Sequence, residues 1–124
     1  MMKLTTLGLS LALSLVATSA FADGDAAKGE KVFKKCKACH TIEQGGKNAI
    51  GPNLFGIIGT KAGSVEGYRY SKAMSDAGLT WDEATLDEYL EKPRAFVKGT
   101  KMAFAGLKKE SDREDLIAYL KTFQ

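Results

Sequence analysis

Apolar residues recur at helical spacing in four stretches of this 124-residue chain, with polar residues between them. Spacings of three and four residues place such side chains on one face of a helix. The pattern predicts helices over 25–37, 71–77, 80–91 and 111–123. The side chains expected to face inward are Val32, Phe33, Leu86, Tyr89, Leu90, Leu116, Ile117 and Leu120.

Residues that favour helix starts and stops lie at the ends of these stretches. Asp25 is placed to cap the first helix, because its carboxylate accepts from unpaired backbone N–H groups. The runs Thr80–Glu83 and Ser111–Glu114 match the capping box that opens a helix. Pro93 is expected to stop or redirect the helix before it, since proline lacks the backbone donor.

Two segments, 45–67 and 98–107, are rich in glycine and predict loops. Strand-like runs are scarce, so we expect an all-α fold. A small domain seldom keeps such long ordered loops unless something fills its centre. The pattern therefore favours helices and long loops wrapped around a bound group.

The N-terminus has the pattern of a secretory signal peptide over residues 1–22. Lys3 is followed by the apolar run Leu4–Val16 and then by the A-x-A cleavage site Ala20–Ala22. The apolar run is shorter than the ~20 residues that a membrane span needs, which argues against an uncleaved anchor. We expect cleavage after Ala22, export to the periplasm, and one mature domain over residues 23–124.

The run Cys36–His40 carries the chemistry of the chain, because it has the C-x-x-C-H pattern of covalent haem attachment. On a helix, Cys36, Cys39 and His40 share one face. Each thiol can form a thioether to the haem, and the imidazole can bind the iron. The chain has two Cys and one His in total, so this run uses all of them.

Three other interpretations of this run are weaker. A structural zinc site takes about four ligands, and the run supplies three. A thioredoxin-like redox pair would want a surrounding βαβ pattern. A disulfide between Cys36 and Cys39 would close a very small loop and add little stability. Export favours haem further, since an unused thiol pair would oxidise outside the cytoplasm.

The second axial ligand is expected to be a methionine, because the chain has no second His. Met74 and Met102 remain after the signal peptide is removed. Met102 lies between Gly99 and Gly106, which allow a loop to close tightly over the haem. Met74 lies in an amphipathic stretch, where methionine usually fills gaps in the core. Met102 is therefore favoured.

His/Met ligation favours electron transfer over catalysis. A thioether stabilises Fe(II), and a filled sixth position excludes small-molecule substrates. No residue is expected to act as a nucleophile or general acid–base, so we do not expect an enzyme. The alternative is a haem protein with an open sixth site that acts as a peroxidase or gas binder, and it requires that Met102 does not bind.

Six motifs in order resemble class I cytochromes c, of the mitochondrial type and the bacterial cytochrome c2 type. The resemblance covers residues 29–121 and implies the class I cytochrome c fold, one covalent haem and an electron-carrier function. The motifs are Cys36–His40, Gly51–Leu54, Thr80–Trp81, Tyr89–Pro93, Gly99–Met102 and Asp115–Leu120.

The resemblance implies roles for residues that line the haem. The Pro52 carbonyl is expected to accept from the His40 ring and so fix its orientation. Tyr70, Ser71 and Trp81 are expected to hydrogen-bond the haem propionates. From composition alone, the aromatic residues would be plain core.

The resemblance also implies how the Met102 loop is held. Tyr89 is expected near the Met102 sulfur, and Thr100 is expected to tie the loop to a propionate or buried water. Gly29 and Phe33 are expected to meet Leu116 and Tyr119 where the first and last helices cross.

Two departures from the family pattern concern the haem environment. Thr60 stands where the family commonly has Arg beside the inner propionate, so the anion loses a fixed cation. A less neutralised anion near the iron favours Fe(III) and lowers the reduction potential. Met74 stands where the family often has Asn in a polar network with a buried water.

The resemblance finally implies a ring of cations around the exposed haem edge. Such a ring docks on acidic faces of a bc1-type complex, an oxidase or a reaction centre. Ala49 and Ala95 replace basic residues often found there, so the ring is weaker than in the most basic relatives. After cleavage, 17 basic face 15 acidic residues, which is no nucleic-acid-binding balance. We expect a monomer without stable membrane insertion. The ring residues are Lys31, Lys35, Arg94, Lys101, Lys108 and Lys109.

Overall fold

The computed structural model describes residues 8, 12 and 24–124, so the expected signal peptide lies outside the described residues apart from two isolated positions. Within this part of the chain the regular structure is helical, and one isolated bridge pairs Lys61 with Thr80. The all-α prediction is confirmed. The helices are α1 Ala26–Phe33, α2 Lys72–Asp76, α3 Glu83–Glu91, α4 Pro93–Phe96 and α5 Glu110–Lys121.

The first and last helices cross at a glycine, as the resemblance implied. A Cβ on Gly29 would lie 1.9 Å from the Asp115 carbonyl oxygen, so only glycine permits this approach. Beside the crossing, the rings of Phe33 and Tyr119 lie 5.4 Å apart between centroids. Asp25 caps α1, as expected, by accepting from Ala27 N at 2.9 Å.

The starts of α3 and α5 differ from the predicted capping boxes. Thr80 lies in a backbone bridge with Lys61, two residues before the N-cap of α3. Asp82 caps α3 instead and accepts from Thr85 N at 2.8 Å. Helix α5 begins at Glu110, one residue before the predicted Ser111, without a side-chain cap. Acidic residues in its first turn complement the helix dipole there.

Two other predictions on helix bounds need correction. Helix α1 ends at Phe33 rather than near Lys37, and the Cys36–His40 run forms the turns that follow it. Pro93 does end α3, but it also opens α4, because proline at the first helical position loses no hydrogen bond.

One buried cluster unites the helices with the loops. It includes Ile57 from the predicted 45–67 loop and Ile42, which lies just before that loop, beside the expected helical side chains. No helix in the described part of the chain is long and apolar enough to cross a bilayer. The buried apolar residues are Phe33, Ile42, Ile57, Met74, Trp81, Leu86, Tyr89, Leu90, Val97, Leu107, Leu116, Ile117 and Leu120.

Arg113 is a buried charged residue that joins α5 to its surroundings, with 6% of its surface exposed. Its Nε donates to Asp87 Oδ1 on α3 at 2.7 Å. Its Nη1 donates to the carbonyl oxygens of Leu107 and Lys108, at 2.8 and 3.1 Å. Arg113 thus fastens the end of the 98–107 loop to two helices.

Candidate haem site

A largely apolar cavity of about 400 Å³ lies between the Cys36–His40 run and the Met102 loop. Helices α2, α3 and α5 close its other sides. All ten residues that were expected to bind the cofactor line this cavity. They are Cys36, Cys39, His40, Pro52, Tyr70, Ser71, Trp81, Tyr89, Thr100 and Met102.

The Cys36–His40 run is wound into turns that carry its three reactive side chains to the cavity. Cys39 N and His40 N both donate to the Cys36 carbonyl oxygen, at 3.1 and 2.9 Å. No disulfide joins Cys36 and Cys39. Burial, and then the neighbouring Cys39, raise the pKa of the Cys36 thiol to about 11. Cys36, Cys39 and His40 therefore line the same cavity, although they lie in turns and not on a helix as the sequence analysis assumed.

The His40 ring is fixed on one side by the Gly51–Pro52 segment. Its Nδ1 lies 2.7 Å from the Pro52 carbonyl oxygen, and because a carbonyl only accepts, Nδ1 carries the proton. Nε2 keeps its lone pair for a metal. Burial lowers the His40 pKa, and the Pro52 hydrogen bond raises it to a lesser degree. A neutral imidazole with one oriented donor is the form that ligates iron.

Met102 lies in a loop whose two ends are glycines with positive φ, +92° at Gly99 and +108° at Gly106. The hydroxyl oxygens of Thr100 and Tyr89 lie 2.9 Å apart, and Met102 N donates to Thr100 Oγ1 at 3.4 Å. Thr100 therefore fixes the backbone next to Met102. Burial raises the pKa of Tyr89, so its hydroxyl stays neutral in this apolar wall.

Three polar side chains of the cavity wall have N–H or O–H protons that donate no hydrogen bond within residues 24–124. These protons can be donated to an acceptor inside the cavity. Tyr70 Oη accepts from Val65 N at 3.0 Å, and Ser71 Oγ accepts from Met74 N at 3.1 Å, so both hydroxyl protons remain available. Among the described residues, the indole N–H of Trp81 donates no hydrogen bond. Three donors in an apolar cavity fit a planar group that carries carboxylates.

Of the two departures from the family pattern, Met74 lines the cavity and Thr60 does not. Met74 lines the cavity with 8% of its surface exposed and adds a second thioether to the wall. Thr60 is not part of the cavity wall, and its hydroxyl donates to the Ile57 carbonyl oxygen at 2.8 Å.

The predicted docking cations are exposed but not equivalent. Lys35 and Lys101 line the mouth of the cavity. The Arg94 guanidinium donates to the Ala103 carbonyl oxygen at 3.0 Å, which braces the Met102 loop. The three others, exposed outside the cavity lining, are Lys31, Lys108 and Lys109.

Tyr68 is a lining residue that the sequence analysis missed. Its hydroxyl donates to the Ile50 carbonyl oxygen at 2.7 Å, and its ring packs edge-on against Tyr70. The available signal was its spacing of two residues from Tyr70, which puts both rings on one side of an extended segment.

The donor set of the cavity suits an iron porphyrin held by thioethers. Two thiols and one oriented imidazole lie on one wall, and a thioether lies in a loop on another. The apolar lining matches the faces of such a group. No cluster of three or more His, Cys, Asp or Glu that would hold a bare metal ion occurs among the described residues.

Comparison with known proteins agrees with this geometry. The Cytochrome c family model matches residues 26–124. The chain is 52% identical to cytochrome c2 of Rhodomicrobium vannielii, over 97% of this chain and 94% of the relative. It is 56% identical to cytochrome c of Gibberella zeae, over 81% of this chain and 95% of the relative.

A solved structure gives the same result for the fold. Cytochrome cH from Methylobacterium extorquens superposes with a TM-score of 0.76 at 51% identity, covering 80% of this chain and 99% of that one. The chain therefore belongs to the cytochrome c family, as a class I member that carries one haem c attached covalently through Cys36 and Cys39.

Proposed function

We propose that this cytochrome is a periplasmic one-electron carrier whose haem iron is bound by His40 and Met102. The observation that carries the proposal is that both side chains line one cavity from separate segments. When bound, the haem supplies an iron that changes oxidation state without bond making in the protein. The protein's part is to hold two ligands and exclude water.

The residues around His40 and Met102 hold the two ligand side chains in fixed positions. The Pro52 carbonyl holds the His40 ring in one orientation through the Nδ1 proton. The Tyr89–Thr100 contact and the Met102 N–H hold the opposite loop. A rigid, dry site changes little between oxidation states, which favours rapid electron transfer and leaves no room for a substrate at the iron.

The far-red absorption spectrum of the oxidised holoprotein tests the ligand pair. We expect a weak sulfur-to-iron charge-transfer band that is lost in Met102→Ala and kept in Met74→Leu, which removes the other thioether of the cavity. A high-spin spectrum without the band in the unmodified protein would contradict the proposal. It would favour the alternative, a peroxidase or gas binder with an open sixth site.

Export and processing form a second part of the proposal. We infer that residues 1–22 are removed and that residues 23–124 act in the periplasm as one domain. The intact mass of the purified protein tests this, since it should equal a chain beginning at Asp23 plus one haem. Retention of residues 1–22, or recovery in the cytoplasmic fraction, would count against it.

The partners proposed for this carrier are acidic faces of membrane redox complexes. A bc1-type complex, an oxidase or a reaction centre all offer such faces, and a monomer with an exposed cationic ring fits them. Lys35 supports the proposal most directly, because it is exposed at the mouth of the cavity.

A further inference from the structure

Three loops meet at the cavity mouth through the side chains of Lys101 and Tyr68. The Lys101 ammonium donates to the Arg69 carbonyl oxygen at 2.6 Å. It also lies 5.0 Å from the centroid of the Tyr68 ring. The Tyr68 hydroxyl in turn donates to the Ile50 carbonyl oxygen at 2.7 Å. We name this arrangement the Lys101–Tyr68 clasp.

The clasp has a defined geometry because each member is held by another contact. The Tyr68 ring packs edge-on against Tyr70, with centroids 4.8 Å apart and planes at 81°. This contact and the hydroxyl bond to Ile50 fix the ring that Lys101 faces. A cation over an aromatic ring and a charged donor on a carbonyl each favour the closed arrangement.

We propose that the clasp sets how readily Met102 leaves the iron, with Lys101 as a positioning residue. Lys101 precedes Met102 directly, so the loop cannot move Met102 outward without pulling the ammonium from Arg69 and Tyr68. Two other side chains hold the Met102 loop. Thr100 contacts the Tyr89 hydroxyl, and Arg94 donates to the Ala103 carbonyl oxygen within the loop. In the described part of the chain, the clasp is the side-chain hydrogen bond and cation–π contact that tie this loop to the segment before α2, which contains Tyr68 and Arg69. The inference rests on the proposed His40/Met102 ligation.

The clasp gives Lys101 a role other than docking. A docking cation needs a free ammonium, whereas this one is engaged within its own chain. Lys98 is a matched control in the same loop. It is exposed, and no hydrogen bond or ion pair of its side chain is found among residues 24–124.

Displacement of Met102 by imidazole tests the clasp. The ferric holoprotein is titrated at pH 8, where imidazole is mostly neutral, and its Kd is read from loss of the far-red band. We expect Lys101→Leu, which adds no sulfur ligand beside Met102, to lower the Kd about fivefold, from loss of one charged hydrogen bond and one cation–π contact at an exposed site. Lys98→Leu should stay within about twofold of the unmodified protein.

A double-mutant cycle separates the clasp from a general loss of stability. Tyr68→Leu should lower the Kd by a similar factor, and the double variant should show little further change, since both residues act in one unit. An unchanged Kd in Lys101→Leu, or an equal change in Lys98→Leu, would overturn the clasp while leaving the ligation intact. Absence of the far-red band in the unmodified protein would instead overturn Met102 ligation itself.

Discussion

The His40 ring packs directly against Gly51, the residue before the Pro52 carbonyl that it binds. A Cβ on Gly51 would lie 2.4 Å from His40 Cε1 and 2.7 Å from Nδ1. Real Cβ atoms do not approach so closely, so the ring or the loop would have to move. Since the same ring is held 2.7 Å from the Pro52 oxygen, it cannot move without straining that hydrogen bond.

The first prediction is that Gly51→Ala disturbs the proximal ligand. We expect a loss of about 2–3 kcal/mol in the free energy of unfolding, typical of overpacking. The reduction potential should shift as well, because the hydrogen bond to His40 tunes the ligand. Denaturant titration and potentiometry of the holoprotein measure the two effects.

Gly45→Ala is the control, since it lies in the same loop with φ +73° and nothing within 4 Å of its added Cβ. It should cost about 1 kcal/mol of backbone strain and leave the potential unchanged. Equal potentials in the Gly51→Ala variant and the unmodified protein would refute the first prediction.

The second prediction concerns the pair that joins α5 to α3. Arg113 and Asp87 are bonded at 2.7 Å with side-chain exposures of 7% and 22%. Asp87→Ala leaves the buried guanidinium without its carboxylate partner, held only by the Leu107 and Lys108 carbonyl oxygens, which costs more than the pair itself contributes. We expect a loss of about 2–3 kcal/mol, measured by guanidinium chloride unfolding.

Glu83 offers a matched control, because its pair with Lys121 joins the same two helices. That pair is more exposed, with side-chain exposures of 44% for Lys121 and 32% for Glu83. Glu83→Gln should cost at most about 1 kcal/mol. If both variants lost equal stability, burial would not be the reason for the importance of Arg113.

The site was more predictable from sequence than the helix ends. Cys36 and His40 lie four residues apart, so short-range spacing alone places them together. The opposite wall of the cavity was predicted from the glycines around Met102 and from the family resemblance. In contrast, Thr80 matched a capping box but is held by pairing with Lys61, a long-range contact that no local pattern contains.

Missed features share this long-range character. The sequence analysis covered Arg113 only as part of the Ser111–Glu114 run, and its burial depends on Asp87 and the Leu107 carbonyl, which fold next to it. The Lys101–Tyr68 clasp likewise joins segments more than 30 residues apart. Helix α4 was not predicted, because Pro93 indicated a stop or redirection of the preceding helix rather than the first residue of a new one.

The third prediction concerns Thr60, where the family commonly has Arg. Thr60 carries no charge, and its hydroxyl donates to the Ile57 carbonyl oxygen. We expect Thr60→Arg to raise the reduction potential by about 20–60 mV, because an Arg here would neutralise the inner propionate that the resemblance places beside this position, and a less negative haem environment disfavours Fe(III). Thr60→Val, which adds no charge, should leave the potential within about 10 mV of its starting value. Potentiometric titration of both variants and the unmodified protein measures these shifts. Equal potentials in all three would show that position 60 does not affect the iron.

The fourth prediction tests docking through a charge reversal on the cationic ring. Lys35→Glu combined with Lys109→Glu should slow electron transfer to an acidic oxidase about tenfold at low salt, because steering attraction becomes repulsion. Stopped-flow oxidation over a range of ionic strengths measures this, and the salt dependence should flatten or reverse. Lys61→Glu with Lys72→Glu makes the same change in net charge at two exposed lysines that do not belong to the predicted ring. If this second pair slowed transfer equally, net charge rather than a localised docking face would control the encounter.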